Sequence, residues 1–147
     1  MRYINHALII LVVFCCLTCN CISQSPRNEA EQLTLQGFDQ FIDGKYNESI
    51  EFYIRAINAD PTYAQAWINK GNSEMALKEY ANAIESYDSA LKIDPNLPIV
   101  WNQRGKALVN LQNYQEAIQS FDKALQYAPD YQDAKMNKDN ATAKLTK

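Results

Sequence analysis

Beyond residue 21 the chain has neither cysteine nor histidine. Its four cysteines, Cys15, Cys16, Cys19 and Cys21, and its single histidine, His6, all lie before that point. The rest of the chain therefore lacks a disulfide, a zinc site built from Cys and His, and a Ser-His or Cys-His nucleophilic pair. Positive charge is also scarce. Fourteen Lys and Arg stand against 17 Asp and Glu, a net charge of -3, and the cations are scattered singly. Phosphate binding needs clustered cations, so a nucleic-acid partner is not expected. There is no alternating strand pattern, no P-loop, no GxGxxG and no HExxH. Asp39 and Asp43 sit one helical turn apart with no pocket signal beside them and read as a solvated face. No catalytic residue, metal or cofactor is expected, and the chain is not expected to be an enzyme.

Long apolar runs are confined to one place. Residues 7–17 (ALIILVVFCCL) are uninterrupted by polar groups, and no charge appears between Arg2 and Arg27. A run of eleven fits the apolar region of a signal peptide, about 7–15 residues, better than a spanning helix of about 20. Residues 1–23 are expected to be a signal peptide or a membrane or lipid anchor, with cleavage after Ser23. The cysteines after the run resemble a lipoprotein signal, and residues 3–22 allow an uncleaved anchor. Each reading puts the rest of the chain outside the cytoplasmic membrane, secreted or membrane-anchored. Residues 24–29 are expected as a linker.

Glycine and proline are few, four and five, but most of them keep register. Gly37, Gly71 and Gly105 are spaced by 34 residues, and so are Pro61, Pro95 and Pro129. The same spacing aligns Tyr53, Tyr87 and Phe121; Ala56, Ala90 and Ala124; Leu33, Trp67 and Trp101; and Ser49, Ala83 and Ala117. A fixed period near 34 marks a stacked helical repeat. Ala83, Ile84, Tyr87, Ala90 and Leu91 form a stripe of helical period. Gly71 lets the second helix of the pair approach, with Ala83 and Ala90 small on the facing side. Trp67 and Tyr87 are expected to fill the space between neighbouring pairs. Asp94-Pro95 ends the second helix. The turn inside each pair falls near Gly44, Lys78 and Gln112, and glycine suits that place best.

These residues resemble the tetratricopeptide repeat family, whose motif runs W-x2-L-G-x2-Y, A-x3-F, P. The third repeat supplies Trp101, Arg104, Gly105, Leu108, Ala117, Phe121 and Pro129; the second supplies Trp67, Lys70, Gly71, Glu74, Ala83, Tyr87 and Pro95. The first departs most, with Leu33 for Trp and Ser49 for Ala, and the Leu before the glycine is polar throughout, as Gln36, Lys70 and Arg104. The resemblance implies an all-α, right-handed solenoid of three tandem helix-turn-helix repeats plus a C-terminal capping helix, preceded by the N-terminal apolar targeting segment. The repeat domain is expected over 30–147, with repeats at 30–63, 64–97 and 98–131 and the capping helix at 132–145.

In that family the first helix of each repeat lines a concave groove. Carried over, the groove residues are Thr34, Leu35, Phe38, Phe41 and Ile42 from the first repeat. Gln65, Ile68, Asn69, Asn72 and Met75 come from the second, and Ile99, Asn102, Gln103 and Lys106 from the third. Asn69, Asn72 and Asn102 offer donors and acceptors to a peptide backbone. Some family members hold a partner's terminal carboxylate with Lys, Arg and Asn. Thr34, Phe38, Ile99 and Gln103 occupy four of those places here, and only Asn69 matches, so chaperone-tail binding of that type is not expected. The expected function is a non-catalytic adaptor for a protein or peptide partner; the alternative is a homo-oligomerising spacer of an extracytoplasmic assembly. Asn47-Glu48-Ser49 and Asn140-Ala141-Thr142 match the glycosylation sequon.

Overall fold

Two kinds of turn alternate along the chain, and particular residues write each of them. The computed structural model describes residues 25–146. Among these there are seven helices and no strand. They are α1 (Pro26–Ile42), α2 (Tyr46–Ala59), α3 (Ala64–Ala76), α4 (Tyr80–Ile93), α5 (Pro98–Asn110), α6 (Tyr114–Tyr127) and α7 (Gln132–Leu145). The expected targeting segment lies outside the described residues.

Inside each pair the first helix closes with one residue in the left-handed region: Gly44 (φ 75°), Lys78 (φ 62°) and Gln112 (φ 61°). The Lys45 N–H reaches the Gln40 carbonyl at 2.9 Å and the Gly44 N–H reaches Phe41 at 3.0 Å; Glu79 and Asn113 repeat the first bond onto Glu74 and Leu108. This closure satisfies carbonyls a helix end otherwise leaves bare. Only the first repeat gives it the glycine it favours. Between pairs, Asp60 and Asp94 are extended, as a residue before proline must be. Their carboxylates accept the N–H of Thr62 and Asn96, both at 2.9 Å. The indole N–H of Trp67 then donates to the Pro61 carbonyl at 3.1 Å, and that of Trp101 to Pro95 at 2.9 Å. Tryptophan and proline share a period because one latches onto the other.

The linker expected over 24–29 is corrected from Pro26 onward. Ser25 caps α1 by accepting from the Asn28 N–H at 3.2 Å, and Pro26 sits in the first turn, where its missing N–H costs nothing. The polarity that suggested a linker has a structural use. The Arg27 guanidinium donates to Asp60 at 2.9 Å and lies 4.4 Å from the centre of the Tyr63 ring. That ties α1 to the first inter-repeat turn, and Thr62 together with Arg27 holds the Asp60 carboxyl below its usual range.

Tyr53, Tyr87 and Phe121 are fully buried. Each ring lies on the glycine of its own pair; a Cβ on Gly71 would stand 2.6 Å from the Tyr87 ring. Tyr87 thus fills the inside of its pair rather than the space between pairs. Trp67 takes that outer space, packing on the core clusters of both the first and the second repeat. Burying each of the three rings contributes about 2–3 kcal/mol. Ala56, Ala83, Ala90, Ala117 and Ala124 are wholly buried where helices approach closely.

The polar column before the glycine is explained by partners on the next helix. Lys70 Nζ donates to Ser86 at 2.9 Å and pairs with Glu74, a buried carboxylate that also accepts from Ser86 at 2.6 Å. Arg104 donates to Ser120 at 2.7 Å and to Asp88 of the preceding repeat at 2.6 Å. Lys138 repeats the second contact on Asp122 at 2.7 Å. In the first repeat the column holds Gln36, and Phe52 stands where the serines are.

Candidate functional site

The first helices lie side by side. α1 contacts α3, and α5 contacts α7. Their common face carries the expected groove residues, which the structure sorts into three groups.

The first group lines a cleft of about 440 Å³ between α1 and α3: Thr34, Leu35, Phe38, Gln65 and Asn69, joined by Glu31 and Tyr63. Leu35 is 59% exposed and Phe38 46%, and Ile42, one turn on, is 67% exposed. Phe41 lies behind them, half-buried, with its ring centre 6.4 Å from Phe38 and 5.3 Å from Tyr46. Asn69 accepts from the Gln65 amide at 2.8 Å. Thr34 is buried, and its hydroxyl has no partner among the described residues.

The second group is committed to packing, which corrects the expectation of a free amide surface. Asn102 is 3% exposed. Its amide donates to the Tyr131 hydroxyl at 3.2 Å and accepts from Asn137 at 3.0 Å, so it joins α5 to α7. The Asn72 carbonyl accepts the Tyr87 hydroxyl at 2.9 Å. Ile68 and Met75 pack on the core of the second repeat. These side chains point inward because the helix pair has to bury what lies beside its aromatic.

The third group lies toward the C-terminus. Ile99 lines a cleft of about 490 Å³ with residues 128–131. Lys106 lines another, about 410 Å³, with Val109, Asn110, Asn137, Asn140 and Lys144. Gln103 is half-exposed. Sequence reasoning treated α7 only as a cap and missed its contribution. The signal was available: Asn137, Asn140 and Lys144 are 34 residues beyond Gln103, Lys106 and Asn110, so α7 presents groove positions like any first helix.

A larger cleft of about 510 Å³ lies on the other side, among α4, α5 and α6, beside Arg104. That guanidinium is already engaged by Asp88 and Ser120. At the sequons, Ser49 is buried against Ser73 at 2.7 Å, whereas Asn140 and Thr142 are both exposed. Asp39 and Asp43 are exposed. Among the described residues, no group of three or more His, Cys, Asp or Glu is placed to hold a metal ion. No described helix is long and apolar enough to cross a membrane.

Burial controls the ionisation of the two tyrosines. Desolvation pushes the Tyr53 phenol up to about 12. Tyr87 is raised as well, by burial first and then by the nearby Glu74 charge.

Profiles described as tetratricopeptide repeat match residues 42–63 and 98–131, and one described as TPR repeat matches 71–112. No match is found among curated proteins. Solved structures are similar over most of the chain. The first TPR of Spaghetti (RPAP3), bound to the HSP90 peptide SRMEEVD, superposes with a TM-score of 0.80 at 25% identity, covering 82% of this chain and 96% of that one. The second TPR domain of human RPAP3, in complex with the HSP70 peptide SGPTIEEVD, gives 0.77 at 26%, covering 80% and 98%. The Arabidopsis OM64 TPR domain gives 0.77 at 23%, covering 80% and 98%. With the period, the glycine-aromatic columns and the turn chemistry all placed as the motif requires, the chain is a member of the tetratricopeptide repeat family.

Proposed function

We propose that this protein is a non-catalytic adaptor that binds a protein or peptide partner in the groove of its first helices. An apolar side chain of the partner seats against Leu35 and Phe38. The exposed apolar row on α1 carries the reading. Single exposed apolar residues are ordinary on protein surfaces, but a contiguous set beside a cleft marks an interaction site. Leu35, Phe38 and Ile42 form such a set, and the cleft that Leu35 and Phe38 line is closed on the far side by Gln65 and Asn69. The similar RPAP3 domains carry chaperone peptides on the same fold. Here Thr34, Phe38, Ile99 and Gln103 provide no cation where a terminal carboxylate would sit, so the anchor is a side chain and not a chain end.

The reading is tested by selecting a displayed library of random 12-residue peptides on the purified protein. Selected peptides should be rich in Phe, Leu, Met or Trp and should lose binding to Leu35→Asp. Selection without apolar enrichment, or with indifference to Leu35→Asp, defeats it.

The pattern of residues 1–23 supports delivery of the domain outside the cytoplasmic membrane, secreted or tethered. An unmodified chain starting at Met1 in the soluble cytosolic fraction, seen by intact mass, would sink that part. The spacer alternative finds less support. Gln32 stands in the column of Ala66, Val100 and Ala134, and Asp139 in that of the three glycines, so both ends of the stack carry polar side chains where a further repeat would dock.

A further inference from the structure

We propose that the cleft between α5 and α7 is a docking site for an acidic peptide segment, whose side-chain carboxylates are held by Lys106 and Lys144. This rests on the proposed peptide groove and adds the chemistry of its second half.

In a chain of net charge -3, this cleft has two lysines on its walls and no acid. Of the ten other described Lys and Arg, five meet carboxylates: Arg27 with Asp60, Lys45 with Asp43, Lys70 with Glu74, Arg104 with Asp88, and Lys138 with Asp122; the two lysines of this cleft do not. Lys106 is exposed, and among the described residues its ammonium has no hydrogen bond or ion pair. Lys144 lies 5.8 Å from the centre of the Tyr114 ring, a contact that orients the ammonium and leaves its three donors unspent. Asn110 and Asn137 are engaged, on the Lys106 carbonyl at 2.9 Å and on Asn102 at 3.0 Å, which fixes the walls. The Asn140 amide is exposed at the same cleft. Two like charges on one cleft, beside an apolar floor of Val109, Phe121 and Ala143, favour an anion there. A duplex or long phosphate chain needs several more cations than this cleft supplies.

The other end of the groove lacks a cation of its own. Glu31 lines the α1–α3 cleft beside Leu35 and Phe38 and is paired with Arg27 at 3.5 Å. An acidic segment finds no free cation on the walls of that cleft and two on those of α5–α7. The charge pattern therefore sets the direction of the ligand, with the apolar anchor at the first repeat and the carboxylates at the third repeat and α7.

The probe is a fluorescein-labelled 12-residue peptide with Leu and Phe at one end, four Glu at the other and an amidated C-terminus. A twin carries Gln for each Glu, and both are also made in reversed order. Binding to the full chain is read by anisotropy. One of the two Glu peptides should bind about fivefold to tenfold tighter than its Gln twin at low salt, as expected for two exposed ion pairs. The difference should fade as salt rises. Lys106→Gln with Lys144→Gln should remove it while leaving the Gln twins unchanged. Equal binding of Glu and Gln peptides overturns the proposal. So does a difference that survives the double variant, or displacement of the Glu peptide by a mixed-sequence oligonucleotide at equal concentration. Phe38→Asn separates the two readings. If it weakens every peptide while the charge difference is absent, the groove stands and the acidic site falls. If it weakens none while the difference persists, the acidic site stands without the apolar anchor.

Discussion

Removing one buried hydroxyl from each of two equivalent tyrosines should change stability in opposite directions. Tyr53 and Tyr87 occupy the same column, and both are wholly buried. The Tyr87 hydroxyl donates to Asn72 at 2.9 Å. The Tyr53 hydroxyl has no partner among the described residues, because the residue 34 positions before Asn72 is Phe38, which has no acceptor to offer. An unmet buried hydroxyl costs about 1–3 kcal/mol, whereas a satisfied hydrogen bond contributes about 0.5–1.5 kcal/mol net. Tyr53→Phe keeps the ring on Gly37 and deletes only the unmet group. It should stabilise the fold by about 1 kcal/mol. Tyr87→Phe loses a bond and strands the Asn72 carbonyl, at a cost of about 1 kcal/mol. For a domain of this size each change moves Tm by roughly 3–6 °C.

The same residue contributes, with Tyr87, to an alkaline limit. The Tyr53 phenol is raised from 10.0 to about 12 in the folded chain. The unfolded chain ionises first, so this stability is complete below pH 10 and is lost as pH climbs toward 12. Tyr53→Phe should flatten the fall in stability across that window. Urea denaturation from pH 7 to 11 measures both effects. Two variants that shift the midpoint in the same direction at pH 7 would refute the assignment of an unmet hydroxyl to Tyr53.

The turns and the packing supply further tests. Lys78 and Gln112 hold positive φ where the first repeat has glycine, so Lys78→Gly and Gln112→Gly should each add about 1 kcal/mol in denaturant melts. Gly71→Ala places a methyl against the Tyr87 ring and should cost about 1–3 kcal/mol; a melt within error of the parent would refute the contact. Deleting residues 132–147 uncovers Leu108 and Phe121, which share a cluster with Ala141. The truncated chain should melt earlier and bind the dye ANS, and an unchanged melt would count against α7 as a structural cap.

The parts of the fold that repeat were legible, and the parts that depend on one exchange were not. The period and the Gly, Trp, Pro and Ala columns are local necessities recurring every 34 residues, so they locate the helix pairs and even the left-handed residues at 44, 78 and 112. The pairing of Lys70 with Ser86 and Arg104 with Ser120 was written at the same spacing. It was missed because each column was read alone and not against the facing helix. Asn102 could not be read as buried from its own repeat. Its partners Tyr131 and Asn137 belong to the next turn and helix along the chain. The start of α1 was hidden for a related reason, since Arg27 finds Asp60 only after α2 has folded back.

Phe38 joins the stability argument to the functional one. As an aromatic it provides the groove with an apolar surface and stacks on Phe41. As a residue without an acceptor it leaves Tyr53 unmet. The second repeat solves the same column with Asn72 and has no comparable apolar row. Phe38→Asn should therefore copy the Asn72–Tyr87 bond into the first repeat. The new bond gains about 1–2 kcal/mol, offset by up to about 1 kcal/mol from the lost ring stack, for a net gain near 1 kcal/mol. Phenylalanine and asparagine differ little in helix propensity, so the backbone adds no large term. In a Tyr53→Phe background the gain should vanish, since the hydroxyl it satisfies is gone, and that double-mutant cycle identifies the cause. Peptide binding should fall in Phe38→Asn although the fold becomes more stable, a combination that unfolding cannot imitate. A variant less stable than its parent with binding intact would break the link, showing that the missing acceptor at 38 is neither the strain on Tyr53 nor the anchor of the groove.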